Sequence, residues 1–66
     1  DVMRRSIVAS RFLPKGNIIS ENDISFKRPG NGLSPKLVNF IVGSKTVRDI
    51  NDGELINLRD IGKKEL

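Results

Sequence analysis

The sequence predicts a small, mostly β domain with short helical turns and internal pseudo-two-fold symmetry. Two segments repeat each other at an offset of 37 residues, the separation of Arg11 from Arg48. Each copy contains a turn that ends on Gly, followed by a short run of branched apolar residues, a pattern that favours very short strands. Hydrophobic residues make up only 36% of the 66 residues, so the core has to be small.

The repeat comprises RFLPKGNIISENDIS at 11–25 and RDINDGELINLRDIG at 48–62. The aligned identities are Arg11/Arg48, Gly16/Gly53, Ile19/Ile56, Asp23/Asp60 and Ile24/Ile61. Two copies are too few for a solenoid, which needs about three. The repeat therefore predicts two related halves that pack about a pseudo-two-fold axis.

Turn and cap residues recur at the same places in both copies. The triplets PKG at 14–16 and NDG at 51–53 supply Gly where a turn requires positive φ. Ser20 and Asn57 follow as N-caps, each with an Asp three positions later, which is the spacing of a capping box with Asp in place of Glu. We expect one helical turn after each cap, and then an Ile that returns to the core.

The remaining segments of the first half are extended or irregular. Residues 6–10 (SIVAS) favour a short strand, and residues 25–28 favour a second extended segment. Residues 29–32 contain a Pro and two Gly, which predicts a loop. The segment 62–66 has little to bury, so we expect a domain over 1–61 and a frayed tail.

One longer helix is predicted near the middle of the chain, from residue 35 to residue 41 or 42. Ser34 is suited to the N-cap, and Pro35 is suited to the first helical position. Gly43 is the natural stop. The predicted apolar face consists of Leu37, Phe40 and Ile41.

The composition excludes several classes of site. The chain has no Cys and no His, which excludes disulfides, thiolate metal sites and His as a general base. Its net charge of +4 invites a nucleic-acid partner. Base stacking, however, needs exposed aromatic side chains, and the chain has no Trp or Tyr. Its three Phe residues, Phe12, Phe26 and Phe40, each lie within two positions of other apolar residues. We therefore expect no nucleic-acid partner.

The location of the chain is predicted from its apolar runs. None approaches the roughly 18 residues of a membrane span, and no apolar segment follows Arg4 and Arg5 as it would in a signal peptide. We expect no membrane partner and a cytoplasmic location. Because the chain begins at Asp1 and has its only Met at position 3, we expect an excised fragment or a processed product.

The residues present do not suggest a self-contained catalyst. The Ser side chains lack a His to activate them. Asp49, Asp52 and Glu54 cluster near a turn but lack the spacing of a calcium loop, which indicates solvated turn acids. We predict no catalytic residue and no metal ligand in this chain.

The segment KRPGNGLSP at 27–35 fits two interpretations. It is either a plain connection between a strand and a helix, or a rigid loop that projects Arg28. A guanidinium offers five donors in a fixed fork, which suits carbonyl, carboxylate or phosphate oxygens. Loops on a rigid scaffold are where binding groups commonly lie.

Five motifs occur in order along the chain: RRSI at 4–7, LPKG at 13–16, KRPGNG at 27–32, VG at 42–43 and RDI at 48–50. In this order they closely resemble the C-terminal SAF domain of the sialic acid synthase (N-acetylneuraminate synthase) family. That domain is also called antifreeze-like, because it resembles type III antifreeze protein. Related synthases for pseudaminic and legionaminic acids carry similar domains.

The resemblance implies a β-clip fold of the type III antifreeze kind and a larger enzyme around it. A TIM barrel precedes the domain in that family and condenses phosphoenolpyruvate with an N-acetylated amino sugar such as N-acetylmannosamine. The barrel uses a divalent metal, Mn or Mg. The enzyme is a domain-swapped dimer, in which each SAF domain covers the barrel mouth of the partner protomer.

The resemblance also implies the site residues. Arg28 matches the Arg of the family's KRPG motif, which reaches into the partner's active site and contacts the amino sugar. Met3 lies where the family often has a Phe that lines the same pocket, and the chain departs from the pattern there. The residues expected to position the loop are Pro29, Gly30, Asn31 and Gly32.

Other functions of the family stay open at this point. The chain could serve a related nonulosonic acid synthase, a flagellar or pilus assembly protein, or a sugar-acid dehydratase. Ice binding is disfavoured because 30% of the residues are charged and Thr46 is the single Thr. The KRPGNG loop favours the synthase.

Overall fold

A computed structural model describes residues 5–28 and 30–62. Its regular elements are strands β1 (Ser6–Ala9) and β2 (Ile24–Lys27), helix α1 (Val38–Ile41), and 3₁₀ turns at Glu21–Asp23, Pro35–Leu37 and Leu58–Asp60. The strands pair antiparallel, from Ser6 opposite Lys27 to Ala9 opposite Ile24. Isolated bridges such as Val8 with Leu55 supply further β pairing. The predicted class, mostly β with single helical turns, is confirmed.

Small aliphatic side chains form the core. Its buried residues are Ile7, Val8, Ala9, Leu13, Ile19, Ile41, Ile50 and Ile56. The three Phe side chains are not among them, since Phe12 is 49%, Phe26 40% and Phe40 66% exposed. An apolar neighbour in sequence therefore did not indicate burial: Phe12 is exposed beside the buried Leu13, and Phe40 is exposed beside the buried Ile41.

The two halves interlock about a pseudo-two-fold axis. At its centre, the amide of Leu13 donates to the carbonyl of Ile50 at 2.8 Å, and the amide of Ile50 donates back to Leu13 at 2.8 Å. The Gly16 amide reaches the Thr46 carbonyl at 2.9 Å, while the Gly53 amide reaches that of Ala9 at 2.8 Å. Each turn thus hydrogen-bonds to the opposite half, so neither repeat has its backbone satisfied alone.

Both predicted helical turns form, and both turn glycines are needed. Gly16 and Gly53 have φ values of +87° and +83°, which a side chain rarely tolerates. The amide of Ser20 donates to Asp23 Oδ2 at 2.9 Å, and the amide of Asn57 donates to Asp60 Oδ2 at 2.8 Å. The capping spacing read from the sequence is therefore present in both copies.

The central helix is shorter and more irregular than predicted. A 3₁₀ turn, Pro35–Leu37, leads into a single α turn, α1, and the Ser34 hydroxyl accepts the Lys36 amide at 3.2 Å. Leu37 packs against the core and Ile41 is fully buried. Phe40 was predicted on the same face but points to solvent, because adjacent helical residues lie about 100° apart.

Some predictions fall on residues that the structure leaves undescribed. Met3 and Pro29 lie outside the described residues, as does most of the predicted tail. The amide of Gly62 donates to the Lys45 carbonyl at 2.7 Å. Within 5–28 and 30–62, no helix is long and apolar enough to cross a membrane.

Candidate functional site

Arg28 lies immediately after β2, at the start of the predicted loop. Its side chain is exposed. Among residues 5–28 and 30–62, none forms a hydrogen bond or an ion pair with its guanidinium. The other described positions of the loop are Gly30, Asn31 and Gly32, of which Asn31 is exposed. The structure therefore presents Arg28 to solvent with its donors unused by the described residues.

The far end of this loop is fastened to β1. Ser6 is fully buried, and its Oγ accepts the amide of Gly32 at 2.9 Å. One residue on, the carbonyl of Leu33 accepts the Ile7 amide at 3.1 Å. Two consecutive loop residues are thus held by two consecutive strand residues. Ser6 was not singled out from the sequence, because a contact across 26 positions leaves no local signal.

Gly32 is required by close packing. A Cβ at this position would lie 2.9 Å from Leu55 Cδ2 and 3.2 Å from Ser6 Cβ. Both distances are shorter than ordinary carbon contacts, so a side chain would require the Leu55 side chain to move and Ser6 to shift by a few tenths of an ångström. The loop is thus anchored to β1 at Gly32 and Leu33, the end away from Arg28.

A shallow groove of about 330 Å³ runs beside β2. Its lining residues are Glu21, Ile24, Phe26, Val38, Asn39 and Val42. Ile24 and Phe26 both line it, because alternate strand residues share a face. Arg28 is the next residue in that alternation, one position past the end of β2.

Two equivalent ion pairs support the scaffold behind the loop. Arg11 Nε donates to Asp23 Oδ1 at 2.8 Å, and Arg48 Nε donates to Asp60 Oδ1 at 2.7 Å. Both carboxylates are buried. The second pair extends to Glu54, whose Oε2 accepts from Arg48 Nη2 at 2.8 Å. These arginines therefore serve the fold.

Two of the three predicted solvated acids have structural partners. Glu54 also accepts the Asn51 amide at 2.9 Å, and Asp49 accepts the Lys15 amide at 2.8 Å. Asp49 is exposed, as expected of a solvated turn acid, whereas Glu54 is half-buried, because the turn brings it to the Asn51 amide and to Arg48. Asp52 is exposed. No three His, Cys, Asp or Glu side chains within the described part of the chain cluster as metal ligands would.

The buried carboxyl groups are held ionised. Burial raises the pKa of Asp60, but hydrogen bonds from Arg48 and the Asn57 amide outweigh it, so the pKa lies below its ordinary value of 3.8. The pKa of Asp23 is likewise raised by burial and lowered further by the Ser20 amide and Arg11. For Glu54, the hydrogen bond from Arg48 is the main reason that the pKa lies below 4.5.

These pKa values predict acid unfolding. A carboxyl group whose pKa is lower in the folded state stabilises the fold above its unfolded pKa, and this contribution is lost as the pH falls towards its folded pKa. The free energy of unfolding should therefore be constant from pH 7 to about 5 and should decrease below about pH 4, near the unfolded pKa of Asp. Urea titrations across this range measure it, and an unfolding free energy that rises between pH 5 and 3 would contradict the prediction.

The comparisons with known proteins agree with the predicted family. The model of the SAF domain family matches residues 4–62. An uncharacterized protein of Methanocaldococcus jannaschii is 41% identical over 58 residues, which is 88% of this chain and 17% of that protein. Pseudaminic acid synthase of Campylobacter jejuni is 37% identical over 59 residues, 89% of this chain and 17% of the enzyme.

A solved structure has the same fold. The solution structure of the antifreeze-protein-like domain of human N-acetylneuraminic acid phosphate synthase superposes with a TM-score of 0.89 at 20% identity, covering 96% of this chain and 81% of that one. The chain spans about one sixth of the length of the curated relatives it matches. It belongs to the SAF domain family.

Proposed function

We propose that this chain is the C-terminal SAF domain of a nonulosonic acid synthase, where it covers the mouth of a catalytic barrel and supplies Arg28 to the substrate. The observation that carries the proposal is the exposed Arg28 on a loop clamped by Ser6. The match to pseudaminic acid synthase over 89% of the chain supports the enzyme class.

The role proposed for Arg28 follows from its surroundings. Its donors have no partner among the described residues, so they are available to an external acceptor. A rigid mount lowers the entropy lost when the guanidinium binds a substrate. A domain that closes over a barrel also excludes water, which strengthens such polar contacts. Orientation of the substrate by such contacts can lower the reaction barrier by several kcal/mol.

The proposal assigns the chemistry to the barrel. The barrel would condense phosphoenolpyruvate with an N-acetylated amino sugar and would hold the divalent metal, Mn or Mg. The described part of this chain has no cluster of three ligating side chains to hold that metal itself. The SAF domain then contributes binding and closure.

For the substrate, we propose a class of compounds and no single compound. The sequence motifs predicted N-acetylmannosamine, whereas the relative from Campylobacter jejuni is a pseudaminic acid synthase. We therefore extend the proposal to N-acetylated amino sugars in general. The proposed assembly is a dimer in which each SAF domain covers the barrel of the partner protomer, and the proposed location is the cytoplasm.

A truncation tests the proposal. Deleting residues 5–62 from the parent synthase should abolish condensation, because the barrel would lose its cover and Arg28. Calorimetry should still detect phosphoenolpyruvate binding to the truncated barrel, which controls for its folding. Condensation at the full rate without these residues would refute the proposed role.

A further inference from the structure

The register of the two strands brings a second arginine opposite Arg28. β1 and β2 pair outward from Ala9 and Ile24 to Ser6 and Lys27. The assigned pairing ends there, and the same register continued one step outward would place Arg5 opposite Arg28. Both side chains are exposed. The open end of the ribbon therefore carries two guanidinium groups at facing positions.

The type of pairing places these two side chains close together. The Ile7 amide donates to Leu33 and its carbonyl accepts from Ile56, each at 3.1 Å. Ile7 and Phe26 are therefore a facing pair without mutual hydrogen bonds. Hydrogen-bonded and non-hydrogen-bonded pairs alternate along an antiparallel ribbon. Arg5 and Arg28, two positions outward, would therefore form another non-hydrogen-bonded pair. Side chains approach each other most closely in pairs of this type.

Two like charges at facing positions cost stability unless a counter-charge offsets them. Arg11 and Arg48 have buried carboxylate partners. Among residues 5–28 and 30–62, by contrast, no carboxylate pairs with Arg5 or Arg28. An external anion would relieve the repulsion. Two planar guanidinium forks suit the oxygens of a phosphate or a carboxylate, which they can bind in a bidentate manner.

We propose that Arg5 and Arg28 together form a binding site for an oxyanion, a phosphate or carboxylate carried by a small molecule. Arg5 is thus a binding residue in addition to Arg28. The proposed site rests on the strand register and on the charges of Arg5 and Arg28, and it does not depend on the identity of the barrel that the domain covers.

Nuclear magnetic resonance of the ¹⁵N-labelled 66-residue chain tests the site, with inorganic phosphate and acetate as separate probes at low ionic strength and constant pH. The Nε–Hε signals of Arg5 and Arg28 should shift along one saturable curve. Arg5→Gln should raise the Kd for phosphate roughly tenfold, because charge-assisted hydrogen bonds are lost. Arg5→Lys should raise it less, since it keeps the charge and loses the fork.

The matched control is Lys15→Gln, which removes the same charge from an exposed turn. It should change the Kd less than about twofold, the effect of a distant screened charge. A dispersed amide spectrum verifies the fold of each variant. Tighter binding of phosphate than of acetate assigns a phosphate ligand, and the reverse assigns a carboxylate; either supports the site. Shifts that do not saturate, or equal losses in Arg5→Gln and Lys15→Gln, overturn it while leaving the truncation test of the covering role unaffected.

Discussion

Replacing Arg28 with Ala in the proposed parent synthase should lower kcat/KM for the proposed amino-sugar substrate by roughly a hundredfold, the scale of effect when a substrate loses its positioning contact. Binding of phosphoenolpyruvate to the barrel should persist, because the barrel itself is unchanged. The unfolding temperature of the domain should not decrease, since Arg28 has no partner among the described residues to lose. Steady-state kinetics and calorimetry measure the two effects.

Lys27→Ala is the matched control for Arg28→Ala. Lys27 is the neighbouring exposed cation at the end of β2, and its side chain lies on the opposite face of the strand. Its removal changes the net charge equally but should change kcat/KM little. Wild-type kinetics in Arg28→Ala, or an equal loss in Lys27→Ala, would show that this guanidinium does not act on the substrate.

Replacing Asp60 with Ala should leave the domain largely unfolded at room temperature. The Asp60 carboxylate is buried and accepts hydrogen bonds from Arg48 Nε and the Asn57 amide. Its removal breaks the ion pair and leaves the amide at the start of a helical turn without its partner. Arg48 is 41% exposed and keeps its pair with Glu54, so the cost comes mainly from the lost charge-assisted hydrogen bonds and the unpaired amide, about 2–3 kcal/mol. A domain of this size has only a few kcal/mol of stability.

The symmetry of the fold supplies matched variants for this prediction. Asp23→Ala removes the equivalent carboxylate, which is 5% exposed against 1% for Asp60. Because Asp23 is slightly less buried than Asp60, its loss should cost somewhat less. Asp52→Ala removes an exposed turn acid and should change the unfolding free energy by less than about 0.5 kcal/mol. Urea denaturation measures all three, and equal stability of Asp60→Ala and Asp52→Ala would contradict the role of the buried pair.

The repeat predicted most of the fold because the same turn and capping residues occur in both copies. Gly16 and Gly53 mark turns by their backbone freedom, and Ser20 and Asn57 mark helical turns by their hydrogen bonds to following residues. Both ion pairs also join residues that are identical in the two copies, an Arg (Arg11 or Arg48) with an Asp (Asp23 or Asp60). Twelve residues separate the members of each pair, so the repeat shows a shared pattern without showing contact.

What the sequence could not predict depends on contacts between distant segments. The exposure of Phe40 is decided by the rotation of a short helix that begins as a 3₁₀ turn. The Arg28 loop is held in place because Gly32 packs against Ser6 and Leu55, and no local sequence pattern predicts these contacts. The sequence indicated Arg28 itself, but only the folded chain shows that the far end of its loop is anchored to β1.

The most direct test of the covering role is recovery of activity in mixed dimers of the parent synthase. One chain carries Arg28→Ala with an intact barrel, and the other carries an intact SAF domain with a disabled barrel. If each domain covers the partner's barrel, a mixed dimer has one complete site, and random mixing should restore about a quarter of the wild-type activity. If mixing restores no activity although mixed dimers form, Arg28 does not act on the partner's barrel, and the proposed role is wrong.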